Sequence, residues 1–251
     1  MGIVLRGSLP GGRGYESASL AHEQIVGGDF SGLRVGQLSV WDCRLEGCSF
    51  ERSRFQNIFM GSGGVFSEYV ECSFEKMSVS FMMTGRARFV RCSFRGARIK
   101  GWNSEIMDLV DCDFEGALLK DPVFWGAPSA RDLKDSPGLR RRNEFRGNDF
   151  SGAQMPGAAF RSGIDLDAQK LPVDERFVVV RGAPAALERG RELVASWGSG
   201  ERGSSVDNAT GFLDGLERES NSGQEDVFLD RPLYGKIDLG HWEALREVLA
   251  I

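Results

Sequence analysis

The 251-residue chain lacks the features that would place it in or beyond a membrane. It has no run of about 18 apolar residues, the length that a helix needs to cross a bilayer. The segment MGIVLRGSLPGG at the N-terminus lacks a basic stretch followed by a long apolar one, so no signal peptide is indicated. We therefore expect a cytoplasmic protein with no membrane partner.

Residues that usually carry catalysis or bind metals are also scarce. The only two histidines, His22 and His241, lie in no recognisable triad or metal-ligand spacing. The five cysteines are an odd number, contain no CxxC pair and all lie between Cys43 and Cys112. This usage fits buried thiols in a reducing compartment better than disulfides or a zinc site. The sequence thus predicts no enzyme, no metal and no cofactor.

The charge balance does not indicate a general nucleic-acid binder. The net charge is −5, from 31 basic and 36 acidic residues. Basic and acidic residues are nearly balanced from Ile25 to Asp165, whereas the part beyond Leu166 is acidic.

Glycine is abundant, with 33 residues, which suggests many turns or a repeat. A Cys-polar-Phe segment recurs at 20-residue spacing in Glu71–Glu75, Arg91–Arg95 and Asp111–Glu115. Related segments are Gly28–Gly32, Gly47–Glu51 and Asn148–Gly152. The intervals between the phenylalanines of consecutive copies are 20, 24, 20, 20 and 36 residues, and the two longer intervals indicate insertions near 61–64 and 127–142.

A shorter period of five lies within the period of 20. Large apolar residues step by five at Phe30, Val35, Val40, Leu45 and Phe50. In an α-helix this step rotates by about 140° and would scatter the apolar side chains around the cylinder. In a strand an odd step would alternate them between faces. They all point inward only if the chain turns a corner every five residues, and four corners close one coil of a square β-solenoid.

These repeats resemble the pentapeptide-repeat family, whose consensus is small-polar-Leu/Phe-polar-polar. The resemblance covers Ile25 to Leu166 and implies a right-handed, four-sided parallel β-helix, and thus a mainly β protein. It also implies a non-catalytic protein-interaction module with a regulatory or protective role. The best-known members are DNA mimics that occupy the DNA-binding saddle of a type II topoisomerase such as gyrase, and so confer inhibitor resistance.

The remaining chain is predicted to close the solenoid. Residues 1–24 are expected to cap one end, and residues 167–251 to form a small helical domain that caps the other, because open ends leave backbone groups unpaired. Within this domain the pattern predicts a strand over Arg176–Arg181 and three helices. The helices are Pro184–Trp197, Asp207–Ser220 and His241–Ala250.

Residues 20 apart are expected to stack about 4.8 Å from each other. In the outward columns the signs alternate, which makes these charges structural and weakens the DNA-mimic interpretation. The columns are Glu71, Arg91 and Asp111; Glu75, Arg95 and Glu115; and Arg44, Glu68, Arg88, Asp108 and Glu144. The inward cysteines Cys72, Cys92 and Cys112 also form a column and are expected to pack in the core.

The second side of the coil, which contains Arg54 and Arg98, has a basic surface that allows two interpretations. It is either an ordinary solvated face or a site for an anionic partner such as nucleic acid. The candidate residues are Arg52, Arg54, Lys76, Arg98, Lys100 and Lys120, together with Arg140, Arg141 and Arg142 from the inserted loop.

The third side is irregular, because Leu38, Ile58, Met82 and Trp102 fill inward positions where the consensus has a small residue. We predict an apolar interface there, covered by the C-terminal helices, by a second copy in a homodimer or by another partner. Its candidate residues are Phe59, Met83, Trp102, Val123 and Trp125.

Three functions therefore remain open from the sequence. The first is a protein-interaction module whose partner is not identified, the second a topoisomerase modulator, and the third a protein that binds nucleic acid directly through the basic side.

Overall fold

A computed structural model describes residues 3–7, 14–136 and 138–251. The chain divides into two compact units. The first holds the chain up to Pro156 together with Asp165–Pro172, and the second holds Gly157–Ile164 together with Val173–Ile251.

The first unit is a parallel β-solenoid of about six turns, which confirms the fold predicted from the repeat. Its elements are β1 (Val4–Arg6), β2 (Tyr15–Ala21), β3 (Gln24–Val26), β4 (Arg34–Trp41), β5 (Arg44–Glu46), β6 (Arg54–Met60), β7 (Ser67–Val70), β8 (Ser78–Thr84), β9 (Ala87–Val90), β10 (Arg98–Lys100), β11 (Trp102–Ser104), β12 (Met107–Val110), β13 (Leu118–Lys120), β14 (Val123–Trp125), α1 (Ala130–Asp135) and β15 (Phe145–Arg146).

The four sides are held together differently. The fourth side is the parallel ladder β3-β5-β7-β9-β12-β15. The second and third sides share one sheet, because β4, β6 and β8 continue through the corner between them. In the later coils that corner is sharp, with left-handed φ angles of 62° at Gly101 and 53° at Asp121, and two short strands replace each long one. The first side is held by single bridges from Asp29 through Ser49, Ser73 and Ser93 to Asp113.

The interior consists of stacked columns, as the period of 20 predicts. Phe74, Phe94 and Phe114 stack with ring centroids 4.9 Å apart at both steps. Phe30 and Phe50 continue the column at one end, with centroids 4.9 Å apart. The predicted cysteine column is buried as well, and the Sγ atoms donate to backbone carbonyls of their own or the preceding coil.

On the third side, large residues fill the inward position where the consensus is small, and small residues fill the inward position where the consensus is large. Met82 and Trp102 are fully buried where the consensus has a small residue. Two positions further along the same strands, where the consensus has Leu or Phe, the chain has Thr84 and Ser104 instead. Trp102 Nε1 donates to Thr84 Oγ1 at 3.2 Å, so the indole nitrogen is satisfied inside the core.

The solenoid begins earlier than the predicted boundary at residue 25. Strand β2 pairs in parallel with β4 and buries Ala18 and Leu20, so it already forms part of a coil. The apolar step of five extends back through Leu20 to Tyr15, which explains the difference. Strand β1 pairs antiparallel with the free edge of β2 and protects it. The other residues of the predicted cap, 1–2 and 8–13, lie outside the described residues.

The second unit contains the predicted helices. Its elements are β16 (Ala159–Arg161), β17 (Phe177–Val180), α2 (Ala183–Ser196), α3 (Ser205–Ser220), β18 (Val227–Asp230), the 3-10 helix η1 (Arg231–Tyr234) and α4 (Leu239–Leu249). Strand β18, which the sequence pattern did not predict, pairs antiparallel with β17. The helices pack around Phe212, Leu216, Trp242 and Leu245. Their predicted packing against the third side stays a prediction.

Candidate cationic groove

A groove with a volume of 720 Å³ runs along the second side of the solenoid. Its lining contains five cationic residues and no acidic one. The lining residues are Arg34, Val35, Arg54, Phe55, Gln56, Ser78, Val79, Ser80, Arg98, Ile99, Lys100, Leu118 and Lys120.

Strand register brings these residues into two outward columns. Arg34 pairs with Arg54, Arg54 with Ser78, and Ser78 with Arg98. Two residues further along the strands, Lys100 pairs with Lys120. Because side chains alternate along a strand, the residues between these columns point inward and form the floor of the groove. The floor consists of the buried residues Val35, Phe55, Val79 and Ile99.

The concave shape has a local cause. Ser78 and Ser80 occupy the middle coil, whereas the neighbouring coils carry Arg54 and Gln56 on one side and Arg98 and Lys100 on the other. The short serine side chains leave a depression between the long ones. Their hydroxyl groups add hydrogen-bonding capacity at the bottom of a cationic surface.

The cations of the groove are electrostatically uncompensated. Within residues 3–7, 14–136 and 138–251, no carboxylate lies within 4.0 Å of the charged groups of Arg34, Arg54, Arg98, Lys100 or Lys120. All five side chains are exposed. This arrangement can attract an anion without first breaking an internal ion pair.

The fourth side contrasts with the groove, because its outward charges are paired. Arg44 forms an ion pair with Glu68, and Arg88 lies 2.8 Å from Asp108 and 2.7 Å from Glu144. At the neighbouring corner Arg91 lies 2.9 Å from Glu71, as the alternating column predicted.

The third predicted column behaves differently at Arg95. This guanidinium lies 2.8 Å from Asp113, in the next coil, rather than against Glu75 or Glu115 of its own column. The hydrogen bond to Asp113 raises the pKa of Arg95. Glu75 instead accepts a hydrogen bond of 2.8 Å from Ser93. Arg95 is therefore neutralised by a carboxylate from a neighbouring column rather than from its own.

The predicted basic residues do not all belong to the groove. Arg54, Arg98, Lys100 and Lys120 line it, whereas Arg52 and Lys76 lie at the preceding corner with left-handed φ angles of 56° and 54°. Arg34 also lines the groove but was missed, although it precedes Arg54 by one period of 20.

The inserted loop places Arg140 on the fourth side, away from the groove. Arg140 lies 2.6 Å from the carboxylate of Asp108 on β12, and its guanidinium lies 4.5 Å from the centre of the Phe66 ring. Asp108 is fully buried and also accepts from Arg88 and from the backbone N–H of Glu144. Arg140 thus compensates a buried carboxylate. Arg141 and Arg142 are exposed.

The predicted apolar surface begins where the groove ends. Phe59, Val123 and Trp125 are half-buried on the third side, and Met83 is 42% exposed. Trp102 is fully buried and so belongs to the core beneath this surface rather than to the surface itself.

Phe81, which the sequence interpretation did not single out, joins the two surfaces. It follows Ser80 of the groove directly, is 36% exposed and lies with its ring centroid 6.3 Å from that of Phe59. A Cβ added to Gly101, at the corner beside Lys100, would lie 3.5 Å from the Phe81 ring. The phenylalanine therefore lies at the rim of the groove.

One Ser-His contact occurs in the second unit. Ser205 Oγ lies 2.8 Å from Nδ1 of His241, and Asp238 approaches the same ring nitrogen at 3.7 Å. A catalytic triad requires the carboxylate on one ring nitrogen and the serine on the other. Ser205 Oγ also accepts from the backbone N–H of Asp238, so this contact stabilises the start of α4.

No helix in the described part of the chain is long and apolar enough to cross a membrane. The described residues contain no cluster of three or more His, Cys, Asp or Glu side chains suited to hold a metal ion.

Comparison with known proteins assigns neither a family nor a function to the chain. No family model and no curated protein matches the chain. Among solved structures, full-length QnrB1, a plasmid-mediated fluoroquinolone resistance protein, is 14% identical, with a TM-score of 0.33 over 61% of this chain and 81% of QnrB1. HetL, a pentapeptide-repeat protein involved in heterocyst differentiation regulation from the cyanobacterium Nostoc sp. strain PCC 7120, is 13% identical, with a TM-score of 0.26 over 61% of this chain and 89% of HetL. These weak similarities carry no argument about function.

Fold and groove together define the class of the molecule, a β-solenoid of five-residue sides that carries a cationic groove.

Proposed function

We propose that the protein is a non-catalytic binding module that recognises an anionic partner through the groove on the second side. The observation that carries this proposal is the set of five uncompensated cations in the groove, whereas Arg44, Arg88 and Arg91 on and beside the fourth side are paired with carboxylates.

Such a set works against the stability of the solenoid. Arg34 faces Arg54, and Lys100 faces Lys120, on neighbouring coils about 4.8 Å apart. Like charges directly opposite each other in a sheet are destabilising, whereas opposite charges would contribute about 0.2–1 kcal/mol per pair. A groove that forgoes this stabilisation is typical of a binding site, where local rules for stability give way to function.

Fluorescence anisotropy with labelled polyanions tests this proposal. The probes are a thymidine oligonucleotide and a polyglutamate peptide, each titrated with protein from low to physiological salt. The double variant Arg54→Ser/Arg98→Ser should lose most of its affinity. The matched control Arg141→Ser/Arg142→Ser removes the same charge outside the groove and should bind like the unchanged protein. Equal losses in both variants, or no binding of either probe at low salt, would refute the proposal.

The topoisomerase-modulator alternative has less support. A mimic of DNA needs continuous columns of negative charge to imitate the phosphate backbone. Here Arg91 follows Glu71, and Arg88 lies between Glu68 and Asp108. We expect the purified protein neither to inhibit supercoiling by gyrase nor to protect gyrase from an inhibitor. Inhibition of gyrase supercoiling at stoichiometric amounts of the protein would favour the topoisomerase modulator over the anion-binding module.

A further inference from the structure

Resting on the proposed function, we infer that the anionic partner is single-stranded nucleic acid. Its phosphates lie in the cationic groove, and its bases contact the aromatic rim formed by Phe59 and Phe81.

The dimensions of the groove suit one extended strand. The cations run from Arg34 to Lys120 across five coils, a distance of about 19 Å at the usual strand spacing. The two outward columns lie two residues apart along each strand, which is about 7 Å. A row of cations this narrow can follow a single phosphate backbone, and Ser78 and Ser80 can donate to phosphate oxygens in its centre.

The rim supplies a surface for bases. Proteins that bind single strands without strong sequence preference combine a positive groove with aromatic side chains on which bases stack. Phe81 meets this description because it directly follows a groove residue, packs beside Gly101 and keeps part of its ring accessible. Phe59 supports it from the side at 6.3 Å, which limits the movement of the ring.

The same features favour a single strand over other polyanions. In a duplex the base faces are covered by neighbouring bases, so the phenylalanine rim would stay unused. An acidic peptide would occupy the cations but offers few flat apolar groups to the rim.

The experiment separates bases from phosphates. Binding is measured by anisotropy for a labelled thymidine oligonucleotide, an abasic phosphodiester strand of equal length, the corresponding duplex and polyglutamate. We expect the oligonucleotide to bind at least about fivefold more tightly than the abasic strand, since stacking of one base on an aromatic ring typically contributes that much.

Variants assign the two contributions to the rim and the groove. Phe81→Ala should weaken oligonucleotide binding at least about fivefold and leave the abasic strand unaffected, whereas Phe81→Trp should retain binding. Leu233→Ala, an exposed apolar residue of the second unit, is the control and should change neither. Arg54→Ser/Arg98→Ser should weaken both strands and reduce the slope of log K against log salt by about 1.4, because each phosphate contact contributes about 0.7.

The outcomes distinguish the two proposals. Equal affinity for the two strands with no effect of Phe81→Ala overturns the single-strand inference but leaves the anionic groove. Tighter binding of the duplex or of polyglutamate also overturns the inference and identifies the partner class instead. Failure of every anionic probe to bind refutes the proposed function itself. Thermal unfolding of each variant checks that it is folded.

Discussion

At the scale of single residues, the core of the solenoid contains a buried tyrosine hydroxyl. Tyr69 is fully buried on the fourth side, and its ring stacks on that of Phe89 with centroids 4.7 Å apart. Within the described part of the chain its hydroxyl makes no hydrogen bond of 3.5 Å or less, and the nearby Ser67 side chain is a weaker influence on its pKa than burial. Burial raises the pKa of Tyr69 well above its ordinary value, so the hydroxyl stays protonated.

Replacing Tyr69 by phenylalanine should therefore stabilise the protein. An unsatisfied buried hydroxyl costs about 1–3 kcal/mol, and the phenylalanine ring preserves the stack. Since about 1 kcal/mol shifts the unfolding temperature of a chain of this size by about 2–4 °C, Tyr69→Phe should raise it by at least that amount in calorimetry. The reverse change one coil away, Phe89→Tyr, should lower it. A lower unfolding temperature for Tyr69→Phe would show that the hydroxyl has a partner.

The cysteine column makes a second prediction at this scale. A hydrogen bond to Cys92 is the main cause that raises the pKa of Cys72, and burial is the second. Burial is the main cause that raises the pKa of Cys92 well above its ordinary value. Only the thiolate reacts readily with disulfide reagents. In the folded protein at mildly alkaline pH, we expect Cys72, Cys92 and Cys112 not to react with an aromatic disulfide reagent. After unfolding, all five cysteines should react. Rapid labelling of the native protein would show that the column opens.

At the scale of elements, the third side depends on the exchange of volume between Trp102 and Thr84. Truncation of a buried tryptophan to alanine costs about 3–5 kcal/mol, and Thr84 would also lose a hydrogen-bond donor. Trp102→Leu should be strongly destabilising alone. Adding Thr84→Leu fills part of the space that the shorter side chain leaves and removes the hydroxyl that had paired with the indole nitrogen.

A double-mutant cycle measures this exchange by urea unfolding. We expect a favourable coupling of about 0.5–3 kcal/mol between the two substitutions, because the residues are in contact. Additive losses would mean that the two positions are packed independently. A pair of conservative changes on two other sides, Leu45→Val on the fourth and Phe114→Leu on the first, provides the additive reference.

This element also shows how far the sequence could predict the fold. The period of five defines the sides, the inward positions and the stacking of Phe74 on Phe94, because each depends only on residues 20 apart. The repeat could not predict that β4, β6 and β8 continue through a corner, since backbone angles there depend on both adjoining sides. It predicted the basic second side but grouped Arg140 with it. That arginine compensates the buried Asp108, a contact between segments far apart in the chain.

At the scale of the whole molecule, the two units are interleaved along the chain rather than joined by one linker. Residues Gly157–Ile164 belong to the second unit, and Asp165–Pro172 return to the first. Within the second unit, Phe160 packs edge-on against Phe228 with centroids 5.6 Å apart, and Arg161 binds the carboxylate of Glu219 at 2.7 and 2.9 Å. Gln224 accepts from the backbone N–H of Ile164 at 2.9 Å.

Truncation after Leu171 should therefore expose apolar surface on the interleaved segment Gly157–Ile164, whether or not anything covers the third side. The fragment keeps Phe160 and Ile164 but loses the partners that bury them, so it should bind a hydrophobic dye and tend to aggregate. The prediction that the C-terminal helices cover the third side makes the same fragment expose Val123 and Trp125 as well, which are half-buried in the intact chain. Adding Phe160→Ser and Ile164→Ser to the fragment separates the two sources. If dye binding falls to the level of the full chain, the exposed surface belongs to the interleaved segment, and the helices do not cover the third side. If dye binding stays high and falls only with Trp125→Ser, the third side is covered in the intact chain.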